Sequence, residues 1–558
     1  MEKRALLAFI LSLLVLVFWE YFFSGLLRTP EPRHQQQTDA VTPGPAETQP
    51  KVQPSELPPA ITPDALPQEH TIRLDQHFDK WILETPLYRA QLLSPGGRLN
   101  SFQLKTFRQT VDAAAPPVEM ISSQGSGYLP LSVDLLHHQA WQLSTSPFLG
   151  PATSELTLTP SANPEELSLS REIPGEVSLT KVFTFKPDSY VIDLDLRLKN
   201  LSLTPLTDQM GISFYFQPLV DAKLETSYNR SQLATGEKGS RTLFDLSDLQ
   251  KTPRIFKPPL DWVGYGDNFF LQALIPLEEQ GYEVIPRVLD AARGLMQVVY
   301  LTEPFQLGGG QEKTFKLRLY IGPKELDHLD QAEHHLAAAV DYGWFWFLAK
   351  PAVYVMKWFY NYVHNYGVAI ILLTILIKII FWPLTQKSFQ SMQAMKKIQP
   401  KIAQVREKYK DDREKLNQEL MGLYKTYKVN PMGGCLPMLL QIPVFIALYN
   451  MLNAAVELRH EPFIWWINDL TAPDRLDIGI PIPYLGGIPV LTLLMGASMF
   501  AQQKMTPSSG DPRQEQIMLL MPLIFTVFFI NFPSGLVLYW LVNNILSIVQ
   551  QYWINRTA

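Results

Sequence analysis

The sequence predicts a polytopic α-helical membrane protein with six transmembrane helices, a large outer β-sandwich domain and a helical hairpin on the inner side. Three observations lead to this fold class. Long apolar runs occupy the first 27 residues and most of the chain after residue 342. The stretch between them alternates apolar and polar residues with a period of two, which indicates half-buried strands. Basic residues concentrate in one polar segment between apolar runs, which orients the membrane part.

Composition excludes several classes of protein. The chain has 558 residues, of which 46% are hydrophobic and 18% charged. The length predicts several domains, and the uneven apolar content excludes both a purely soluble enzyme and an all-membrane bundle. The net charge of −5 gives no indication of a nucleic-acid partner. The single cysteine, Cys435, cannot form an intramolecular disulfide or a cysteine-based zinc site. We expect no cofactor and no metal.

Residues 1–27 are predicted to form an N-terminal transmembrane anchor. Lys3 and Arg4 precede the apolar run, and residues 5–27 would make about 34 Å of helix, enough to cross a bilayer. No small-residue cleavage site follows, although a cleaved signal peptide is the alternative. Residues 28–69 are rich in proline and poor in large apolar residues, so they are predicted to be an extended linker.

Residues 70–325 are predicted to form the β-sandwich. Val177, Leu179, Lys181, Phe183 and Phe185 alternate with more polar residues, and a turn signal and a second alternating run follow, which predicts a β-hairpin. The domain contains no phosphate-binding loop, HExxH or GxSxG motif. We therefore interpret it as a scaffold or docking module and the protein as not an enzyme. A metal site at His328, His334 and His335 is the alternative to a polar helix face.

The C-terminal part begins with aromatic-rich amphipathic helices over residues 326–366, typical of a membrane interface. Residues 367–554 are predicted to form a five-helix core, and residues 555–558 a cytoplasmic tail. Within the core, residues 385–434 are rich in helix-forming residues, and a break at Asp411 and Asp412 predicts a helical hairpin. The predicted spans are residues 368–384, 436–456, 488–501, 517–532 and 535–554.

The distribution of basic residues predicts the topology. The positive-inside rule places residues 385–434 in the cytoplasm and residues 457–487, with only Arg459 and Arg475, outside. Both chain termini are then cytoplasmic. The basic residues of the first segment are Lys387, Lys396, Lys397, Lys401, Arg406, Lys408, Lys410, Arg413, Lys415, Lys425 and Lys428.

Polar residues interrupt the predicted spans. Lys378 lies in an apolar run, where a cation costs about 2.5–3.5 kcal/mol on insertion scales. Thr374 precedes it by one helical turn, and other spans contribute the amides Gln441, Asn450, Asn543 and Asn544. A water-filled groove open to the cytoplasm would satisfy them all. Snorkelling of Lys378 and hydrogen bonds between helices are the alternatives.

Two segments resemble a known family. The runs KVNPMGGCLPMLLQIPVFIALYNML and LMPLIFTVFFINFPSGLVLYWLVNN, with a cation in the second span, resemble the YidC/Oxa-type membrane protein insertases over residues 365–551. The Gram-negative version of the family adds a first span and a large periplasmic β-domain, so the resemblance covers nearly the whole chain. The residues that carry the structural motif are Pro383, Pro431, Gly433, Gly434, Pro437, Pro533 and Gly535.

The resemblance implies a function in the bacterial inner membrane. Such a protein inserts and helps fold membrane proteins, alone or beside the Sec translocon, through a hydrophilic groove open to the cytoplasm and lipid. Lys378 matches the groove cation, where the family usually has arginine, and Trp540 stands where tyrosine is common. The implied partners are nascent membrane proteins, the Sec translocon, the ribosome and the bilayer, with no direct contact to nucleic acid. The alternative is a small-solute transporter. The implied groove and substrate-contact residues are Thr374, Gln441, Phe445, Met495, Phe528, Trp540 and Asn543.

Overall fold

The computed structural model describes residues 71–219, 229–410, 412–427, 429, 436–479, 482, 485–505 and 512–557. The predicted anchor over residues 1–27 and the predicted linker over residues 28–69 lie outside the described residues. The described part has a β-rich section followed by a helical section.

The β-rich section corresponds to the stretch in which the sequence alternates with a period of two. Its strands are β1 (Lys80–Glu84), β2 (Tyr88–Leu93), β3 (Arg98–Arg108), β4 (Pro117–Glu119), β5 (Ser132–Leu135), β6 (Glu155–Thr157), β7 (Glu165–Ile173), β8 (Val177–Phe185), β9 (Val191–Asn200), β10 (Leu206–Asp208), β11 (Met210–Phe216), β12 (Gln232–Glu237), β13 (Ser240–Phe244), β14 (Trp262–Gly266), β15 (Phe270–Pro276), β16 (Tyr282–Asp290), β17 (Leu295–Thr302), β18 (Phe305–Leu307) and β19 (Glu312–Pro323).

The strands form one large sheet and three smaller ones. The large sheet has eight strands in the order β13-β12-β14-β15-β19-β9-β8-β7. A five-stranded sheet has the order β4-β3-β2-β1-β6, a four-stranded sheet the order β16-β17-β11-β5, and β10 pairs with β18. Phe216 of the four-stranded sheet stacks on Tyr265 of the large sheet, with ring centroids 5.5 Å apart. Tyr88 of the five-stranded sheet lies 6.2 Å from Tyr190 beside β9. The predicted β-sandwich is therefore confirmed.

The hairpin of β8 and β9 carries an unusual inward-facing residue. Val177 pairs with Asn200 and Phe185 with Ile192. Every second residue of β8 from Val177 to Phe185 is buried, so this face of the hairpin enters the core. That face includes Lys181, which is 0% exposed. Its Nζ donates to Gly96 O and Leu131 O, both at 2.6 Å. Burial lowers the pKa of the Lys181 ammonium well below its ordinary value, and the positive charge of Arg98 lowers it further.

The helices of the described part follow mainly after the last strand. They are α1 (Leu246–Lys251), α2 (Leu326–Gln331), α3 (Trp346–Val363), α4 (Tyr366–Lys408), α5 (Arg413–Thr426), α6 (Leu436–Ala454), α7 (Val490–Met505), α8 (Pro512–Phe529) and α9 (Ser534–Thr557).

Helix α4 differs from its prediction in length. The sequence predicted a span ending at residue 384 and a hairpin beginning at residue 385, but the structure has one helix of 43 residues that runs through Pro383 and Pro400. A proline removes one backbone hydrogen bond without stopping a helix whose neighbours support it. In the described part, α4 is the one helix that is long and apolar enough to cross a membrane. Residues Met518–Phe529 of α8 form a shorter apolar helical segment.

Helix α5 folds back onto the polar end of α4. Asp412 caps α5, and its Oδ1 accepts a hydrogen bond from Lys415 N at 3.1 Å. A small apolar cluster joins the two helices, with Ile398 and Ile402 of α4 buried against Leu420 and Leu423 of α5. These contacts make a helical hairpin whose first arm is continuous with the apolar part of α4.

Polar side chains connect the β-rich section to the helical section. Arg459, after α6, donates to Arg108 O at 2.7 Å and to Gln109 O at 3.2 Å. Arg241 of β13 pairs with Asp341 before α3. These contacts of Arg459 and Arg241 hold the start of the helical core against the β-sandwich. Within the helical section, Lys357 of α3 lies about 3 Å from the carboxylates of Glu325, Asp327 and Glu457.

The three carboxylates change the titration of Lys357. Burial alone lowers its pKa, but the negative charges outweigh burial, so the pKa lies above its ordinary value.

The histidines at 328, 334 and 335 do not form a metal site here. Among the described residues, no three histidine, cysteine or acidic side chains come together as metal ligands.

Candidate functional site

Lys378 lies on the inner face of α4, where its charge is held inside the helical section. The residue is 5% exposed. Its Nζ donates to Ser547 Oγ of α9 at 2.6 Å and lies 3.4 Å from Asn543 Oδ1, one helical turn earlier. Both acceptors are neutral, so they solvate the cation without cancelling its charge. The snorkelling alternative predicts an ammonium extended toward solvent, which is not the arrangement found.

A third helix completes the polar cluster. Gln441 of α6 donates from Nε2 to Asn543 Oδ1 at 3.4 Å. Gln441 and Asn543 are partly exposed, whereas Lys378 and Ser547 are buried. The four side chains therefore form a cluster with a buried, positively charged end and an accessible amide end. We call Lys378, Gln441, Asn543 and Ser547 the polar cluster.

The polar contacts between α4 and α9 continue beyond the cluster. Gln550 donates from Nε2 to Thr385 Oγ1 at 2.9 Å, and both residues are buried. On its neighbouring face, α9 contacts α7, where Asn544 Nδ2 donates to Ser498 Oγ at 3.1 Å. Helix α9 thus presents one polar row to α4 and a second to α7. This pairing is what the alternative of interhelical hydrogen bonds expects, and it satisfies buried polar groups at low cost.

Two predicted groove residues lie outside this network. Thr374 is buried, and its hydroxyl donates to Ile370 O of the same helix at 2.7 Å. Asn450 lies at the far end of α6, where its Nδ2 donates to Tyr342 O at 3.2 Å. A helical threonine can satisfy its hydroxyl on its own backbone, so its presence in a span does not require a polar neighbour.

The predicted apolar contact residues divide into three environments. Phe445 of α6 and Trp540 of α9 meet edge to face, with ring centroids 4.7 Å apart, and Phe529 of α8 lies 5.3 Å from Trp540. Met495 of α7 is fully buried in the main core. Phe528 of α8 is exposed. The structure therefore brings Phe445 and Trp540 together, buries Met495 and leaves Phe528 exposed.

The motif residues have a structural explanation where the structure describes them. Pro533 directly precedes α9 and Gly535 is its second residue, and Gly535 N donates to Leu470 O at 2.9 Å. A Cβ at Gly535 would lie 3.2 Å from Leu470 O, so a larger residue would disturb this contact. Pro437 lies in the first turn of α6, where a proline costs no helical hydrogen bond. Pro431, Gly433 and Gly434 lie outside the described residues.

Comparisons with known proteins cover the whole chain. The family model described as 60Kd inner membrane protein matches residues 358–558, and the model described as YidC periplasmic domain matches residues 80–355. The membrane protein insertase YidC of Syntrophobacter fumaroxidans is 64% identical over 100% of both chains, and that of Syntrophus aciditrophicus is 40% identical over 100% of both chains. This chain belongs to the YidC family of membrane protein insertases.

The YidC family assignment confirms the family recognised from the sequence motifs. It makes the chain an inner membrane protein with a periplasmic domain, and a membrane protein insertase rather than an enzyme. The two family models meet between residues 355 and 358, inside α3. Among solved structures, an active YidC insertase with the first transmembrane domain resolved is 18% identical, covering 86% of this chain and 93% of its own, with a TM-score of 0.37.

Sequence reasoning missed three residues that contact the predicted ones. Ser547 accepts from Lys378, and Thr385 and Gln550 make the next polar contact along the same two helices. A signal was present in the spacing. Ser547 and Gln550 follow Asn543 by four and seven residues, and Thr385 follows Lys378 by seven, so each pair shares a helix face.

Proposed function

We propose that this member of the YidC family inserts and helps fold inner-membrane proteins through a hydrophilic groove open to the cytoplasm and the lipid. The polar cluster is the observation that carries the proposal. A buried lysine has two neutral partners on α9, one of which also accepts from Gln441 of α6, and this keeps a positive charge at a depth where lipid-facing helices carry none. Lys378 is the groove charge, and Gln441 and Asn543 form its accessible end.

The chemistry of the cluster suits a hydrophilic segment of a nascent protein. Such a segment pays a large desolvation cost in hydrocarbon, and amide and ammonium groups that hydrogen-bond to it reduce that cost. Lys378 additionally attracts acidic residues of the segment, by about 1–4 kcal/mol at 4 Å in surroundings that range from water to a protein surface. The apolar side of the path consists of Thr374, Phe445, Met495, Phe528 and Trp540.

The sequence has no nucleotide-binding motif, so partitioning of the substrate's apolar segment and the membrane potential supply the energy.

The membrane placement is a six-span arrangement with cytoplasmic termini and a cytoplasmic hairpin. Apolar side chains exposed on α4, α7, α8 and α9 support it, because exposed apolar patches of this extent mark membrane contact. Helix α7 has 16 residues, about 24 Å of helix, which is shorter than a bilayer core of about 30 Å and would thin the membrane locally. The exposed residues are Ile379, Ile380, Leu493, Leu494, Leu523, Val527, Phe528, Ile545, Val549 and Trp553.

The partners follow from this placement. Nascent membrane proteins are the substrates, and the protein acts alone or beside the Sec translocon. The basic hairpin of α4 and α5 faces the ribosome or the incoming chain.

A reconstitution assay separates this function from that of a small-solute transporter. Proteoliposomes that contain only this protein should insert a small, single-span substrate so that its tail becomes protected from protease. The same vesicles should show no specific flux of ions or small solutes. Flux without protection of the substrate would favour the transporter, and vesicles containing Lys378→Glu provide the matched control.

A further inference from the structure

A cavity of about 190 Å³ lies where the end of α6 meets the β-sandwich. Its lining includes Arg241 of β13 and Lys324, which directly follows β19. Asp341 lines it as well, and α6 contributes the amides of Asn450 and Asn453. This cavity is separate from the polar cluster, because Asn450 follows Gln441 by about two and a half helical turns on α6.

The two cations of the cavity are held differently. Arg241 is 14% exposed at its side chain, pairs with Asp341 and donates to Ala339 O at 3.0 Å. Lys324 Nζ donates to Asp267 O, a backbone carbonyl, at 2.6 Å. The Asp267 carboxylate accepts hydrogen bonds from the backbone N–H groups of Phe269 and Phe270. The charged residues of the lining are therefore two cations and one carboxylate, which leaves one net positive charge.

The environment of Lys324 favours an incoming anion. Burial lowers the pKa of its ammonium to about 8, and the nearby positive charge of Arg241 contributes to the shift, whereas the carboxylates of Asp267 and Asp341 oppose it. A bound anion would offset both effects, since an opposite charge stabilises the ammonium form. The side-chain amides of Asn450 and Asn453 also line the cavity, and each has a second N–H beyond the one that it donates to Tyr342 O or Tyr449 O.

We propose that this cavity binds a singly charged phosphodiester group, with Lys324 and Arg241 as its charged ligands and the α6 amides as further donors. One negative charge matches the net charge of the lining, and the oxygens of a phosphodiester match several converging N–H donors. The cavity volume suits such a group rather than a nucleotide.

The source of the phosphodiester follows from the membrane placement proposed above, on which this step rests. Under that placement α6 leaves the bilayer at the cavity, and α3 nearby exposes Tyr354, Trp358 and Tyr362, as expected at a membrane interface. A lipid headgroup of the outer leaflet is then the source. Free inorganic phosphate shares the anionic oxygens but is not a diester, so it is the competing ligand to be distinguished.

The test measures binding to the purified full-length protein in detergent. Native mass spectrometry follows retention of phosphatidylglycerol, with monoglucosyl diacylglycerol as the phosphate-free lipid and inorganic phosphate as the competitor. Lys324→Gln and Arg241→Gln should each weaken retention of phosphatidylglycerol about tenfold. Lys324→Arg should retain binding, and Lys316→Gln, at an exposed position of β19, is the matched control.

The outcomes are distinct. Retention of phosphatidylglycerol that inorganic phosphate does not displace identifies a headgroup site, and binding of inorganic phosphate alone identifies a free-phosphate site. The first result supports the proposal, and the second overturns it, because inorganic phosphate is not a phosphodiester. Absence of both kinds of binding, or equal lipid retention in the wild type, Lys324→Gln and Arg241→Gln, overturns it. Because the readout does not involve insertion, Lys378→Gln should bind phosphatidylglycerol normally even if insertion fails.

Discussion

Lys378 of α4 and Ser547 of α9 are joined by a 2.6 Å hydrogen bond at a position where their residues are only 5% and 3% exposed. The two residues are 169 positions apart in the chain. This contact turns an isolated cation in an apolar run into part of a three-helix arrangement. It also suggests how the charge is kept at that depth, because a buried ammonium needs acceptors that replace water.

Ser547→Ala should therefore weaken both stability and insertion. Loss of the acceptor should lower the free energy of unfolding by about 1–2 kcal/mol, as for other interhelical hydrogen bonds in membranes. Insertion of substrates with acidic tails should fall with it. Ser498→Ala is the matched control, since it removes the partner of Asn544 at the α7 contact and leaves Lys378 unchanged. Equal insertion defects in the two variants would show that only packing matters.

The charge of Lys378 should matter according to the substrate. Lys378→Arg should be nearly neutral, because the charge persists. Lys378→Gln should impair substrates with acidic tails most, and Lys378→Glu should be worst, because it repels those tails. The measurement is protease protection of tail-tagged substrates after short labelling, at matched expression. If the Lys, Gln and Glu forms insert acidic tails equally, the electrostatic role is wrong.

The helical hairpin should be necessary for insertion without supporting the fold of the core. Proline at Leu416 and Leu423 should break α5 at a cost of about 3 kcal/mol for each substitution. Insertion should fall, while the melting of the remaining helices stays unchanged. Alanine at the same two positions is the control, because it removes side-chain packing but keeps the helix. Full activity of the proline variant would make the hairpin a passive connection.

Deletion of most of residues 70–320, with residues 325–365 retained, should leave insertion largely intact. The polar cluster lies wholly on α4, α6 and α9, and the deletion keeps Lys357 with Glu325, Asp327 and Glu457. Arg459→Gln provides an internal check, because its partners Arg108 and Gln109 lie in the deleted part. The substitution should lower the thermal stability of the full-length protein but have no effect in the deletion variant. Loss of insertion for every substrate at normal expression would contradict the scaffold interpretation.

Lys181→Met should destabilise the β-sandwich even though methionine is apolar and similar in length. The carbonyls of Gly96 and Leu131 would lose their donor inside the core. We expect a loss of about 3 kcal/mol in the free energy of unfolding. Denaturant unfolding of the full-length protein, followed through the tryptophans of the β-sandwich, measures the change. Lys316→Met, at an exposed position of β19, should have little effect; an equal loss there would point to a general effect of removing charge.

Local patterns in the sequence determined much of this protein. Alternation around Lys181 predicted the β8–β9 hairpin, because successive side chains of a strand point to opposite faces, one toward the core and one toward water. Lys378 was recognisable because a charge in an apolar run is costly. The family was recognisable from short motifs around Pro437 and Pro533. Periodicity did not predict the full length of α4, since Pro383 and Pro400 resemble helix ends but lie inside a supported helix.

The tertiary structure alone decided which helices face one another. Periodicity shows that Asn543, Ser547 and Gln550 share a side of α9, but the partner of that side depends on packing. The structure pairs it with Lys378 and Thr385 of α4, places Asn544 against Ser498 of α7, and leaves Thr374 bonded to its own helix. The physical reason is that a hydrogen bond acts over about 3 Å in space, whatever the separation of its partners along the chain.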